Sequence, residues 1–178
     1  MGLSTKYLGR FDITPALNEV EVEWLRAFAA IDRRHYSEPY EVAMNPRAVE
    51  QAAATRASAG GSRPSPDPFT SLTPRDGSPS PHLDWVPCPT GCCLVWTGDE
   101  KSRAAEEWIC YLIDHFLRPN AQASRDARPD FEEFTFDHVV SGVVAGCRDD
   151  NRELFLIRCR NNELSTETLI APDPDPWR

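Results

Sequence analysis

The sequence predicts an α+β domain: an antiparallel sheet with two helices on one face, in the order β-α-(disordered insertion)-β-β-α-β-β-β. Three observations predict it. Leu83 to Leu117 reads as a hairpin feeding an amphipathic helix and holds three of the five tryptophans. Asn18 to Ala30 opens on a capping signature and continues with helical periodicity. Glu133 to Ile170 reads as three strands joined by turn residues.

The first strand falls in Lys6–Ile13 and ends at Thr14-Pro15, because proline cannot donate to a ladder. Asn18 is an N-cap with Glu21 at the capping-box position, and Leu17 and Val22 hold the staple positions around it. Trp24, Phe28 and Ile31 then recur at i, i+4, i+7, and the pattern fades at Asp32-Arg33-Arg34. Residues 37–81 change character. An alanine-rich piece, Pro46 to Ala59, offers a helical turn or two, and the rest is dense in Pro, Ser and Gly. Such a stretch buries too little apolar surface to offset its ordering entropy, so a largely disordered insertion is expected there.

Leu83–Val86 and Cys93–Thr97 pair across a turn in which Gly91 supplies a positive φ. Thr97-Gly98-Asp99 closes the hairpin and places Asp99 as the next N-cap. Trp108, Leu112 and Phe116 form one row of that helix, with Ile109, Ile113 and Leu117 beside them, so it lies on the sheet as the core element. In Glu133–Gly146 the alternation puts Phe134, Phe136, His138 and Val140 on one face of a long strand, and Gly142 marks a bulge or bend. Glu153–Arg160 returns with Phe155, Ile157 and Cys159 inward. Asn161-Asn162 suits a type I′ turn into Glu163–Ile170, and residues 171–178 form a loose tail.

Composition bounds the function classes. The 178 residues fit a single domain, and 19 Lys plus Arg against 28 Asp plus Glu give a net charge of −9. That balance disfavours nucleic acid, whose binding needs a basic face to release counterions, and would favour a basic protein surface. No apolar run reaches membrane-spanning length, and the opening residues lack a signal-peptide core, so the cytoplasm is the expected location. Six cysteines in that setting read as reduced thiols.

The opening LGRFDITPALNEVEVEWLRAF, the block LDWVP…LVWTGDEKSRAAEEWICYLIDHFLRP and the ending VVSGVVAG resemble a family of small proteins of actinobacteria and bacteriophages. The shared features are a "tP-L" opening and a W-G-E-K…E-W-L-x-Y-L-I-x-x-F-L block, over about two thirds of the chain. Where that block continues into a glycine- and tryptophan-containing turn, this chain has RPNAQASRD. No established activity attaches to the family, so the resemblance implies a fold and no catalytic residues.

The sharpest chemical candidate is Cys88-x3-Cys92-Cys93, with His82 upstream. Zinc needs four converging soft or imidazole ligands. Cys92 and Cys93 point to opposite faces if both lie in a strand, which leaves two or at most three ligands, so no metal site and no cofactor is expected and small packed thiols are. Thiol catalysis needs a cysteine beside a base. Cys110 and His115 do not share a helix face, Cys110 facing Asp114 instead. Cys159 and His138 are the one pair that a sheet would bring together, against the plainer alternative that His138 is a hydrogen-bonded core histidine. His115 is expected to complement the helix dipole. Glu106-Glu107 and Asp149-Asp150 are adjacent pairs that do not converge on a substrate. Phosphate-binding glycine loops and a nucleophile elbow are missing from the sequence.

The expected function is therefore a non-catalytic intracellular protein-binding or regulatory module, with Leu154 and Leu156 on the helix-free face as the partner surface. The alternative is a small thiol- or metal-dependent protein using the Cys88–Cys93 hairpin or Cys159 with His138.

Overall fold

In the computed structural model, residues 4–42, 74–99 and 104–174 are described. A six-stranded antiparallel sheet has the spatial order β2-β3-β1-β4-β5-β6, formed by β1 (Thr5–Thr14), β2 (Trp85–Pro87), β3 (Cys93–Trp96), β4 (Val139–Arg148), β5 (Leu154–Arg160) and β6 (Glu163–Ile170). Helices α1 (Glu19–Ala29) and α2 (Ala105–Leu112) cover one face, so the α+β class and element order match the expectation.

Local chemistry starts α1 as expected. Asn18 Oδ1 accepts from the Glu21 amide at 2.9 Å, and Glu21 Oε2 accepts from the Asn18 amide at 2.8 Å, closing both arms of the capping box. Leu17 and Val22 are both buried beside it. Helix α2 sends Trp108, Ile109 and Leu112 fully inside, onto Phe11, Trp85, Val140, Val144 and Ile157 of the sheet. Its last turn, Ile113–Leu117, widens to a π-helix closed by Arg118 N–H on the Ile113 carbonyl at 3.1 Å. Helix α2 has no side-chain cap: its N-cap is Ala104, so Asp99 does not take the role assigned to it.

The structure corrects three other expectations. The segment 133–138 is not strand, and β4 begins only at Val139. Phe134 and Phe136 join Phe131 in an aromatic cluster under Trp24, with Phe136 at φ +48, a backbone that no strand accommodates. Gly142 makes no bulge. It lies in register between Phe11 and Cys159, and a Cβ there would meet the Arg10 carbonyl oxygen at 2.5 Å, so glycine is required by close strand approach. The register shift falls instead between Leu154 and Phe155, where β5 meets β6.

The stems of the insertion are folded, although residues 37–81 read as largely disordered. Tyr40, Asp76 and Ser78 are buried, and the Arg33 guanidinium binds Asp76 together with the Glu38, Pro39 and Glu41 carbonyls. Residues 43–73, including the alanine-rich piece, lie outside the described residues, as do residues 175–178 of the tail. No helix among the described residues is long and apolar enough to cross a membrane.

Candidate functional site

The sheet has one bare face, and its rows follow from the strand register. Leu8 pairs with Ala145, Ala145 with Leu156 and Leu156 with Glu167; the next row runs Lys6, Cys147, Leu154, Ile170. Leu154 and Leu156 alternate with buried Phe155 and Ile157, so they do lie opposite the helices, and both are half-buried. The strongly exposed apolar groups around them are Leu8, Val143 and Ile170, at 81%, 45% and 55% exposure. Sequence reasoning missed Leu8 and Ile170 because a first strand and an edge strand give no sign of which face the helices will cover, and Val143 because the alternation of β4 drew attention to its inward row alone.

Charges on this face cancel in pairs. Arg10 Nε meets Asp12 at 2.9 Å, Arg158 meets Glu167 at 3.2 Å and Lys6 meets Asp149 at 3.5 Å. These pairs are exposed and add little stability, but they leave the face close to neutral in a chain of net charge −9.

His138 and Cys159 do not pair. Both imidazole nitrogens are engaged elsewhere: Nδ1 lies 2.8 Å from the Pro15 carbonyl oxygen and Nε2 lies 3.1 Å from Glu21 Oε1. The Thr135 hydroxyl also lies 3.0 Å from Nε2. Burial alone would lower the His138 pKa, but the Glu21 hydrogen bond and the Pro15 carbonyl outweigh it and raise the value. The Cys159 thiol donates to the Val140 carbonyl at 3.2 Å, and burial pushes its pKa up to about 11. Neither is a nucleophile with its base. His138 is a structural histidine that ties the start of β4 to the cap of α1.

His115 is not a helix-dipole cation. It stacks on Tyr111 with ring centroids 3.8 Å apart, its Nδ1 meets Tyr40 Oη at 2.7 Å, and burial pulls its pKa down to about 4. His82 points toward Asp32, 3.9 Å away.

The β2–β3 hairpin behaves differently from its sequence reading. Strand β3 starts at Cys93, so Cys92 lies in the bend and the opposite-face rule does not apply to the two neighbours. The sulphurs of Cys88, Cys92 and Cys93 all lie within 4.8 Å of one another. Thr90 Oγ1 stands 3.3 Å from both Cys88 Sγ and Cys92 Sγ. Burial works against ionisation of Cys88, but hydrogen bonds from Thr90, Cys93 and Cys92 overcome it and bring its pKa to about 6. Buried Cys93, crowded by the two other sulphurs, is pushed up to about 12.

Comparison of the chain with known protein families, curated proteins and solved structures finds no match to any of them.

Proposed function

We propose that this chain is a non-catalytic protein-interaction module that works inside the cell and binds its partner through the bare face of the sheet. The observation that carries this reading is the row Leu8–Ala145–Leu156 with its exposed neighbours Val143 and Ile170. Burying each large aliphatic side chain of such a row is worth about 1.5–3 kcal/mol, which a partner recovers and solvent does not. The paired charges on the face favour a partner with an apolar, weakly charged surface over a strongly basic one. Six free thiols support a reducing compartment. Kinship with the small actinobacterial and phage proteins rests on the quoted motifs and is consistent with this fold.

Site-specific photocrosslinking in the native host tests the reading, with the probe at position 8 or 156 and, as control, at exposed Glu107 on α2. Adducts to one protein from positions 8 and 156, absent from 107 and lost with Val143→Glu, are expected. Equal labelling from all three positions, or none from the sheet, overturns it. The convergence of three sulphurs at the hairpin favours a second reading, a metal- or thiol-dependent protein.

A further inference from the structure

We infer that the β2–β3 hairpin is a zinc-class metal site in which Cys88, Cys92 and Cys93 supply three thiolates and the fourth position opens to solvent. This stands independently of the partner face.

The distances fit the ion. Zinc–sulphur bonds of about 2.3 Å place neighbouring ligands on one ion about 3.8 Å apart. Here Cys88 Sγ and Cys92 Sγ are 3.5 Å apart, and no pair of the three exceeds 4.8 Å, so side-chain rotations of ångström size close the site. Soft thiolates select d¹⁰ ions such as zinc over hard cations such as magnesium or calcium.

The backbone that carries the sulphurs is fixed before any ion arrives. Cys88 N–H bonds to the Cys93 carbonyl at 2.9 Å and Gly91 N–H to the Cys88 carbonyl at 3.0 Å. The turn is then fastened to the rest of the fold. Ile13 N–H donates to the Cys92 carbonyl at 2.8 Å and Leu17 N–H to the Gly91 carbonyl at 3.0 Å. Gly91 holds φ +71, and a Cβ on it would collide with the Leu17 carbonyl oxygen, so only glycine serves there. Thr90, hydrogen-bonded to two of the three sulphurs, orients them from the outer shell.

Binding a divalent ion takes all three sulphurs as thiolates and releases their protons. Cys92 is exposed and Cys88 half-buried, which leaves an entry path and room for a water or an exogenous ligand in the fourth position. A shallow cleft of about 530 Å³ adjoins this side, lined by Leu17, Val22, Arg26, Pro89 and Thr90 among others.

The test is a titration of the reduced, chelator-treated full-length protein with Co²⁺ and then Zn²⁺, read by sulphur-to-cobalt charge-transfer absorption and its displacement. One cobalt per chain is expected, displaced by one zinc, with a rise in Tm on zinc loading. Cys92→Ser, the exposed member and the least risky for folding, should weaken zinc by about 100-fold, and Thr90→Val by about 10-fold. Cys110→Ser and Cys147→Ser, at exposed thiols outside the hairpin, should leave binding unchanged. A folded Cys92→Ser protein that binds zinc within threefold of the parent overturns the inference. So does cobalt binding without thiolate absorption, or binding abolished by Cys110→Ser or Cys147→Ser.

Discussion

Arg33 and Asp76 form a buried ion pair, Nε to Oδ2 at 2.6 Å, that joins the two stems of the insertion. Neither side chain is more than 1% exposed. The rest of the guanidinium is satisfied by the Glu38, Pro39 and Glu41 carbonyls, and it stacks over Phe28 at 4.5 Å. Removing one partner strands the other charge in the core. Asp76→Ala should therefore destabilise the fold by about 3–5 kcal/mol, read as a fall in urea midpoint. An unchanged midpoint would mean that the guanidinium finds other acceptors there.

The two inner histidines should titrate on opposite sides of their ordinary value of 6.5. NMR titration is expected to find His115 near 4 and His138 above 6.5. The signs for stability differ accordingly. The His138 contribution is complete below 6.5 and is lost as pH rises through its raised folded value. Glu21 is lowered from 4.5: burial opposes this, but His138, Thr135 and Asn18 outweigh burial. Its contribution is present above 4.5 and is lost as pH falls through the lowered value. His115, depressed by burial, costs stability as pH falls from 6.5 toward 4. Glu21→Gln should flatten the alkaline limb and lower stability by about 3 kcal/mol near neutral pH. A single shared midpoint for both histidines would contradict the arrangement.

The final hairpin separates two asparagines of the same backbone conformation. Asn161 and Asn162 both have positive φ, at 52° and 69°, as a type I′ turn requires. Asn162 also reaches sideways: its Oδ1 accepts from Val140 N–H at 2.7 Å and its Nδ2 donates to the His138 carbonyl at 3.1 Å. Asn161→Gly should be neutral within about 0.5 kcal/mol, whereas Asn162→Gly should cost about 1–3 kcal/mol despite the same φ preference. Thermal denaturation of the two variants decides it; equal losses would reduce both residues to turn formers.

Gly142→Ala should destabilise the protein by about 1–3 kcal/mol through steric crowding. The added methyl meets backbone, the Arg10 carbonyl oxygen at 2.5 Å and Phe11 Cα at 3.0 Å, so no side-chain rotation relieves it. A chemical-denaturation midpoint equal to that of the parent would mean that β1 and β4 can move apart.

Local signals in the sequence proved sufficient where one element decides its own structure. The capping box at Asn18 and Glu21, the apolar rows of α2 and the Asn161-Asn162 turn each depend on residues within a few positions. The failures came where distant contacts decide. Phe134 and Phe136 alternate like a strand, yet Phe134 packs on Trp24 of α1 and Phe136 on Phe131 and Phe134, and this packing outweighs the period-two pattern. The three sulphurs converge because Cys92 lies in the bend before β3 and not in the strand with Cys93, a placement set by the turn and not by strand pattern. Arg33 reads as the polar end of a helix, and nothing nearby in the sequence announces Asp76.

The place of β1 in the sheet has a consequence for the order in which the chain assembles. Strands β4, β5 and β6 follow one another through short turns and form a local meander. Strand β1 lies between β3 and β4, so each of its ladders joins residues far apart along the chain. Each of those ladders closes a long stretch of chain, and the entropic cost of closure grows with its length. Chain severed between α1 and β2 would leave β2–β6 with a slot in mid-sheet, which β1 and α1 added as a separate peptide would fill.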